Sequence, residues 1–242
     1  MAIASVDAGG EFRIGTVIKR TFTVYGANVL PFVAVTFVAA LPNLLVLLPS
    51  PESAVPDPTK TLIAVVLGVY LNSLAQAVIL FGAFGSLRGE PIRLGEALHR
   101  TLARLFPILG FATLYSLGLF GGLMLAVVPG LILAVMWAVA LPACAFEGLG
   151  PIDCLRRSAR LAAGYRWKVF WLLALLTIVL VATGELVELA LRPAGAYVKA
   201  SASLIWAAVS GAYWNCAFVI LYRDLRAAKE GADAEQIAAI FD

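Results

Sequence analysis

Residues Thr61–Phe84 read TLIAVVLGVYLNSLAQAVILFGAF, a stretch without one charged side chain. At a helical rise of about 1.5 Å per residue it reaches about 36 Å, enough to cross the roughly 30 Å hydrocarbon core of a bilayer. Its apolar residues run continuously and do not alternate, which predicts a helix and not a strand of a membrane barrel. Five further stretches meet or approach that length, so six spans are predicted: Asn28–Leu48, Thr61–Phe84, Ile108–Val128, Leu131–Phe146, Val169–Leu191 and Ala200–Tyr222. The fourth is the shortest, and Pro129-Gly130 ahead of it reads as a tight turn joining spans three and four. A re-entrant hairpin in their place is the alternative.

The rest of the chain agrees with those spans. It is 62% hydrophobic and 14% charged, with a mean hydropathy of +0.93, far oilier than a soluble domain of average usage. The prediction is an all-α polytopic membrane helix bundle, with residues 1–242 forming one integral membrane domain. The first 27 residues do not read as a secretory signal, because Glu11, Arg13, Lys19 and Arg20 interrupt any apolar core. Cys144, Cys154 and Cys216 show no CxxC and no paired spacing, so neither a disulfide framework nor a zinc site is expected. The net charge of +3 does not imply nucleic acid, since the basic residues flank apolar runs and form no patch interleaved with aromatics.

Those flanking charges orient the chain. Of the 18 Lys and Arg residues, all but Lys60, Arg192 and Lys199 fall on one side of the predicted membrane. The positive-inside bias then places both termini in the cytoplasm of a cell membrane of the bacterial inner-membrane type. The loop Pro49–Lys60 on the other side is rich in proline and reads as a short extended connector.

Ahead of each odd-numbered span lies an amphipathic segment, at 11–27, 91–105 and 151–163. Arg13-Ile14-Gly15-Thr16-Val17-Ile18-Lys19-Arg20-Thr21 matches Arg93-Leu94-Gly95-Glu96-Ala97-Leu98-His99-Arg100-Thr101 in character at most positions. The apolar set Ile14, Val17, Ile18, Phe22, Tyr25 recurs as Leu94, Ala97, Leu98, Leu102, Leu105, one face of a helix. A weaker third copy begins at Pro151, and Arg20-Thr21, Arg100-Thr101 and Arg157-Ser158 fall in register. The pattern predicts three repeats of an interfacial amphipathic helix plus a transmembrane hairpin. It also predicts that Arg20, Arg100 and Arg157 gather at one cytoplasmic surface as candidates for lipid headgroups. The segment 223–242 reads as a cytoplasmic tail.

From Pro129-Gly130-Leu131 through Trp137, Leu141-Pro142 and Phe146-Glu147-Gly148-Leu149-Gly150-Pro151 to Leu155-Arg156-Arg157-Ser158-Ala159-Arg160-Leu161 and Gly164, the chain resembles the membrane domain associated with glycerophosphodiester phosphodiesterases. It is also similar to the related YciC-like inner-membrane proteins, whose function is largely unassigned. In the phosphodiesterases such a domain precedes a separate catalytic barrel, and no such barrel is read in these residues. The resemblance therefore implies an architecture and no activity.

Phosphodiester hydrolysis at a metal needs histidines and clustered carboxylates, whereas the one histidine, His99, sits in a basic amphipathic segment. There is no HExxH, no GxSxG and no carboxylate pair at an inner depth. No catalytic residue, metal ligand or cofactor is expected. Glu147, at the inner end of span four, needs a partner near hydrocarbon; Arg156, Arg157 and Arg160 are in reach, and the expected role is a structural ion pair. Glu185 and Glu188 share a face of span five, either as a cation-attracting vestibule or as headgroup-level residues beside Arg192. Asn72 and Gln76 in span two, and Ser203, Ala207, Gly211 and Asn215 in span six, read as packing stripes. Asn72, Gln76, Glu185, Glu188 and Asn215 are the candidates for an alternative transport path. Gly118 and Gly122 form a notch in span three.

The functional expectation is a non-enzymatic multi-pass membrane protein that associates with anionic lipid headgroups or partner proteins. The alternative is a small transporter or channel.

Overall fold

A computed structural model of the protein describes residues 12–44, 57–87 and 93–241. Among the described residues every regular element is a helix. They are α1 (Ile14–Ala27), α2 (Val29–Ala40, continued by a 3₁₀ turn at Leu41–Asn43), α3 (Pro58–Leu87), α4 (Leu94–Leu102) and α5 (Leu105–Leu125). After these come α6 (Val127–Met136), α7 (Ala140–Glu147), α8 (Pro151–Ala162), α9 (Arg166–Ala190) and α10 (Ala196–Phe241). The end of the first predicted span and most of the proline-rich loop lie outside the described residues.

Five stretches are long and apolar enough to cross a bilayer, at Pro58–Ser86, Leu105–Leu125, Val127–Glu147, Arg166–Ala190 and Ala196–Gly231; the bent pair α1–α2 brings the number to six. The bend is 91°, so α1 runs nearly perpendicular to α2. Asn28 makes the corner: its side-chain amide donates to the Val24 carbonyl at 2.9 Å and to Ser86 Oγ of α3 at 3.0 Å. Arg104 and Tyr165, at the junctions α4–α5 and α8–α9, adopt a similar backbone. The three φ/ψ pairs are −139°/31°, −115°/22° and −114°/7°.

The three amphipathic helices are equivalent in packing as well. Val17 and Thr21 of α1, Ala97 and Thr101 of α4, and Cys154 and Ser158 of α8 are all buried, four residues apart in each helix. Thr21 and Thr101 donate to the carbonyls one turn back, at 2.8 and 2.9 Å. What the repeat keeps in a common environment is the buried hydroxyl, not the arginine before it.

Span four is a full-length pair of helices, α6 and α7. Its turn from α5 falls at Ala126 (φ −170°, ψ 157°), so Pro129 and Gly130 sit inside α6 and do not form the connector expected of them. Gly130 is needed for close approach: a Cβ there would meet Leu123 at 2.5 Å, and one on Gly118 would meet the Trp137 ring at 2.4 Å. The Gly118/Gly122 notch thus seats α6 on α5. The helix then breaks at 137–139 because Pro142 has no N–H to offer the Ala138 carbonyl. Ser158 of α8 repairs the break, donating to the Met136 carbonyl at 2.8 Å and accepting from the Val139 N–H at 3.2 Å.

The expectation for the cysteines needs correction. Cys144 and Cys154 form a disulfide between α7 and α8, with Cα atoms 5.1 Å apart; the antiparallel return through 148–150 makes them neighbours, which their spacing in sequence does not disclose. In α10, the Ser203/Ala207/Gly211/Asn215 stripe is half-buried at its first three positions and buried at Asn215, and beside it runs a buried stripe, Ala200, Leu204, Ala208, Ala212, Cys216, Ile220. Thr36 of α2 docks on it, donating to the Ala208 carbonyl at 2.7 Å.

Packing is uneven along the spans. Toward the end that carries α1, α4 and α8, here the basic end, Ile79, Ile108, Val139, Leu172 and Ile220 are fully buried. Toward the far end Leu62, Phe120, Met124, Ile178 and Val181 are exposed, a surface that acyl chains cover.

Gly118→Ala, which drives a methyl into Trp137, should cost about 1–3 kcal/mol, whereas Gly121→Ala, which meets nothing within 4 Å, should be neutral or slightly stabilising. Thermal unfolding in detergent measures both. By the same measurement Ser158→Ala, which orphans two backbone groups, should cost about 1–3 kcal/mol, and Thr21→Ala less.

Candidate functional site

At the basic end the helices converge on a cluster of charges. Helix α7 stops at Glu147, followed by Gly148 in the left-handed region (φ 68°). A Cβ on Gly148 would lie 2.7 Å from the Arg104 guanidinium, which covers that turn. The Glu147 carboxylate accepts from Arg157 Nε at 2.8 and 2.9 Å and from the Tyr222 hydroxyl at 2.9 Å. Arg157 also donates through Nη2 to Glu230, which pairs with Arg226 at 2.6 Å. Between Tyr222 and Glu230 on the same helix, Asp224 Oδ1 accepts from Arg20 Nη1 at 2.8 Å.

This arrangement exists because α10 continues past span six. The tail predicted at 223–242 is a helix to Phe241, continuous with the span. Asp224 and Glu230 therefore stand on a rigid rod between α1 and α8, and they hold Arg20 and Arg157 respectively. Burial works against the Arg157 charge, but hydrogen bonds to Glu147 and Glu230 outweigh it and push its pKa up from the ordinary arginine value.

The candidate residues thus separate. Glu147 takes Arg157, which sequence placed among the headgroup candidates, and neither Arg156 nor Arg160. Arg156 faces Asp153 at 3.5 Å on the exposed side of α8, and Arg160 is exposed with no ion pair among the described residues. The three register arginines have different partners. Arg20 and Arg157 are taken up along α10, while Arg100 pairs with Glu96 one turn back on the solvent side of α4. Tyr222, Asp224 and Glu230 were missed in sequence; the i, i+4 pair Arg226/Glu230, running on from an unbroken span, was the available sign of a helix there.

At the far end Glu185, Glu188, Arg192, Lys199 and Ser203 line a cavity of about 800 Å³ between α9 and α10. Of the other transport-path candidates, Asn72 is exposed, Gln76 is half-buried, and Asn215 is buried in α10 with its Nδ2 unpartnered among the described residues; none of the three borders that cavity. No group of His, Cys, Asp and Glu able to hold a metal occurs among the described residues. No family model, no curated protein and no solved structure matches the chain.

Arg157→Gln leaves Glu147 without its cation and should cost about 2–3 kcal/mol, less than the roughly 3–5 of a fully buried pair, because both side chains keep about a fifth of their surface exposed. Arg156→Gln should change stability by less than about 0.5 kcal/mol. Thermal unfolding of the purified protein separates the two.

Proposed function

We propose that the protein is a non-enzymatic multi-pass membrane protein that associates with anionic lipid headgroups through its three amphipathic helices. The chain is oriented with both termini in the cytoplasm of a bacterial inner-membrane type of membrane. The observation that carries this reading is the composition of the exposed faces of α1, α4 and α8. Each buries one face in the bundle and leaves both large apolar side chains and cations on its exposed surface: Phe22 and Lys19 on α1, Leu98, Leu102 and Arg100 on α4, Ile152 and Arg156 on α8. A helix of that kind lies at the boundary of headgroups and acyl chains, its apolar residues in the hydrocarbon and its cations at the phosphates. Because Arg20 and Arg157 are held within the protein, headgroup contact falls to Lys19, Arg100, Arg156 and Arg160. The resemblance over Pro129–Arg166 to membrane domains associated with lipid-degrading enzymes supports a place beside lipid, and the reading assigns no hydrolysis to these residues.

Each such cation contributes about 1 kcal/mol at an anionic surface, so three contribute enough to measure. Protein reconstituted in nanodiscs of mixed phosphatidylglycerol and phosphatidylcholine should enrich phosphatidylglycerol in its lipid annulus. The triple variant Arg100→Gln, Arg156→Gln, Arg160→Gln should weaken that enrichment at least tenfold while keeping the wild-type unfolding temperature in detergent. Equal retention of the two lipids by the wild type, or full enrichment by the triple variant, would end the proposal.

A further inference from the structure

We infer that the cavity between α9 and α10 at the far end binds the headgroup of a zwitterionic aminophospholipid from the leaflet opposite the basic end. Depth is the first ground. Glu185 and Glu188 lie about 28 and 33 Å along α9 from Arg166 at helical rise, which is the far edge of a roughly 30 Å hydrocarbon core. That is the level of ester and phosphate groups. A cavity of about 800 Å³ is within the range of sites for small ligands and accepts a headgroup with its glycerol.

Charge is the second ground. The lining carries two carboxylates and two cations, and none of the four forms an ion pair among the described residues. Glu188 and Arg192 have the i, i+4 order that favours pairing on a helix, yet α9 ends at Ala190 with Leu191 as its cap, so Arg192 stands beyond the helix. The turn thus holds the negative and positive groups apart. The helix ends reinforce that separation, since α9 brings its C-terminal end to the cavity and α10 its first turn, at Ala196. A neutral ligand with an ammonium a few ångströms from a phosphodiester matches both poles: the ammonium meets Glu185 and Glu188, and the phosphate meets Arg192, Lys199 and the start of α10.

The third ground is the path for the chains. Leu186, Leu189, Tyr197 and Val198 are exposed on the same two helices, giving acyl chains an apolar surface to lie on. The cavity has a floor, because α9 and α10 close on one another at Gly184, where a Cβ would be 2.8 Å from Trp206 Nε1. This inference rests on the spans alone. It does not depend on the headgroup contacts proposed for the basic end, nor on which face of the membrane is cytoplasmic.

The test uses the full chain, delipidated in mild detergent and titrated with dihexanoyl phosphatidylethanolamine or phosphatidylglycerol. Native mass spectrometry counts the adducts and thermal unfolding reports binding. The wild type should bind the ethanolamine lipid at least tenfold more tightly than the glycerol lipid. Glu185→Gln with Glu188→Gln should lose that preference, and Arg192→Gln with Lys199→Gln should lose both lipids. All four side chains are exposed and unpaired, so both variants should keep the wild-type unfolding temperature without lipid. The triple variant of the basic end should bind the ethanolamine lipid as the wild type does, which separates this site from that one. Deacylated glycerophosphoethanolamine should bind at least tenfold more weakly than the lipid; equal binding would overturn the leaflet as the source. Equal affinity for the two lipids in the wild type, or unchanged binding in both double variants, would overturn the site itself.

Discussion

A backbone amide or carbonyl in hydrocarbon has no water to turn to, so each must find its partner inside the chain. That constraint explains why the described elements are helices, and it is tested most sharply where a helix fails. Pro142 breaks span four, and a bare break at that depth would leave orphaned groups at several kcal/mol each. A hydroxyl from another element repairs it: Ser158 satisfies both Met136 and Val139. The amphipathic helix α8 is therefore part of the span's hydrogen-bonding as well as its neighbour at the interface. The disulfide from Cys144 to Cys154 and the bond from Arg157 to Glu147 fasten the same two elements within one further turn. Three different kinds of bond thus hold one joint.

That joint also accounts for the uneven packing. Where α7, α8 and the lower part of α10 meet, buried residues are dense and Phe146 contacts Phe84 and Tyr222 across the bundle. Farther along the spans no disulfide or ion pair joins the helices among the described residues, and large apolar side chains are exposed. Acyl chains are as apolar as the side chains they touch, so splaying there carries little of the penalty it would have in water. The protein is built as a bundle gathered at one end, and the bilayer completes the other.

The spans were legible in sequence because length and lack of charge are enough to place a helix in a membrane. Their starts were not: α5 and α9 each begin three residues before the predicted span, and in the first turn of α9 Arg166 is exposed while Lys168 donates to the Phe12 carbonyl at 3.2 Å, so charges that end an apolar run in sequence are held inside the helix. The repeat was legible too, but not the feature its three copies share. Arginine next to Thr21, Thr101 and Ser158 drew attention as the charged group, whereas the hydroxyls occupy the shared buried position. The fates of Arg20 and Arg157 depend on Asp224 and Glu230, and contacts so distant in sequence leave no local pattern. Glu147 was correctly expected to need a cation, because depth in the membrane is a local property. Which of the nearby arginines would answer it depended on the rotation of α8, and that is set by Cys154 and Ser158 facing inward.

The same logic connects the two ends of the molecule. At the basic end opposite charges are neutralised within the protein, leaving as exposed cations those on the faces of α1, α4 and α8 that look away from the bundle. At the far end Glu185, Glu188, Arg192 and Lys199 line one cavity without pairing among the described residues, because α9 ends two residues before Arg192. Ion pairs made at the joint stabilise the bundle, and charges left unmade at the opposite turn keep their interaction free for whatever occupies the cavity. Since α9 is buried mainly through Val169, Leu172 and Leu176 near its start, its far half can adjust to such an occupant without disturbing the joint.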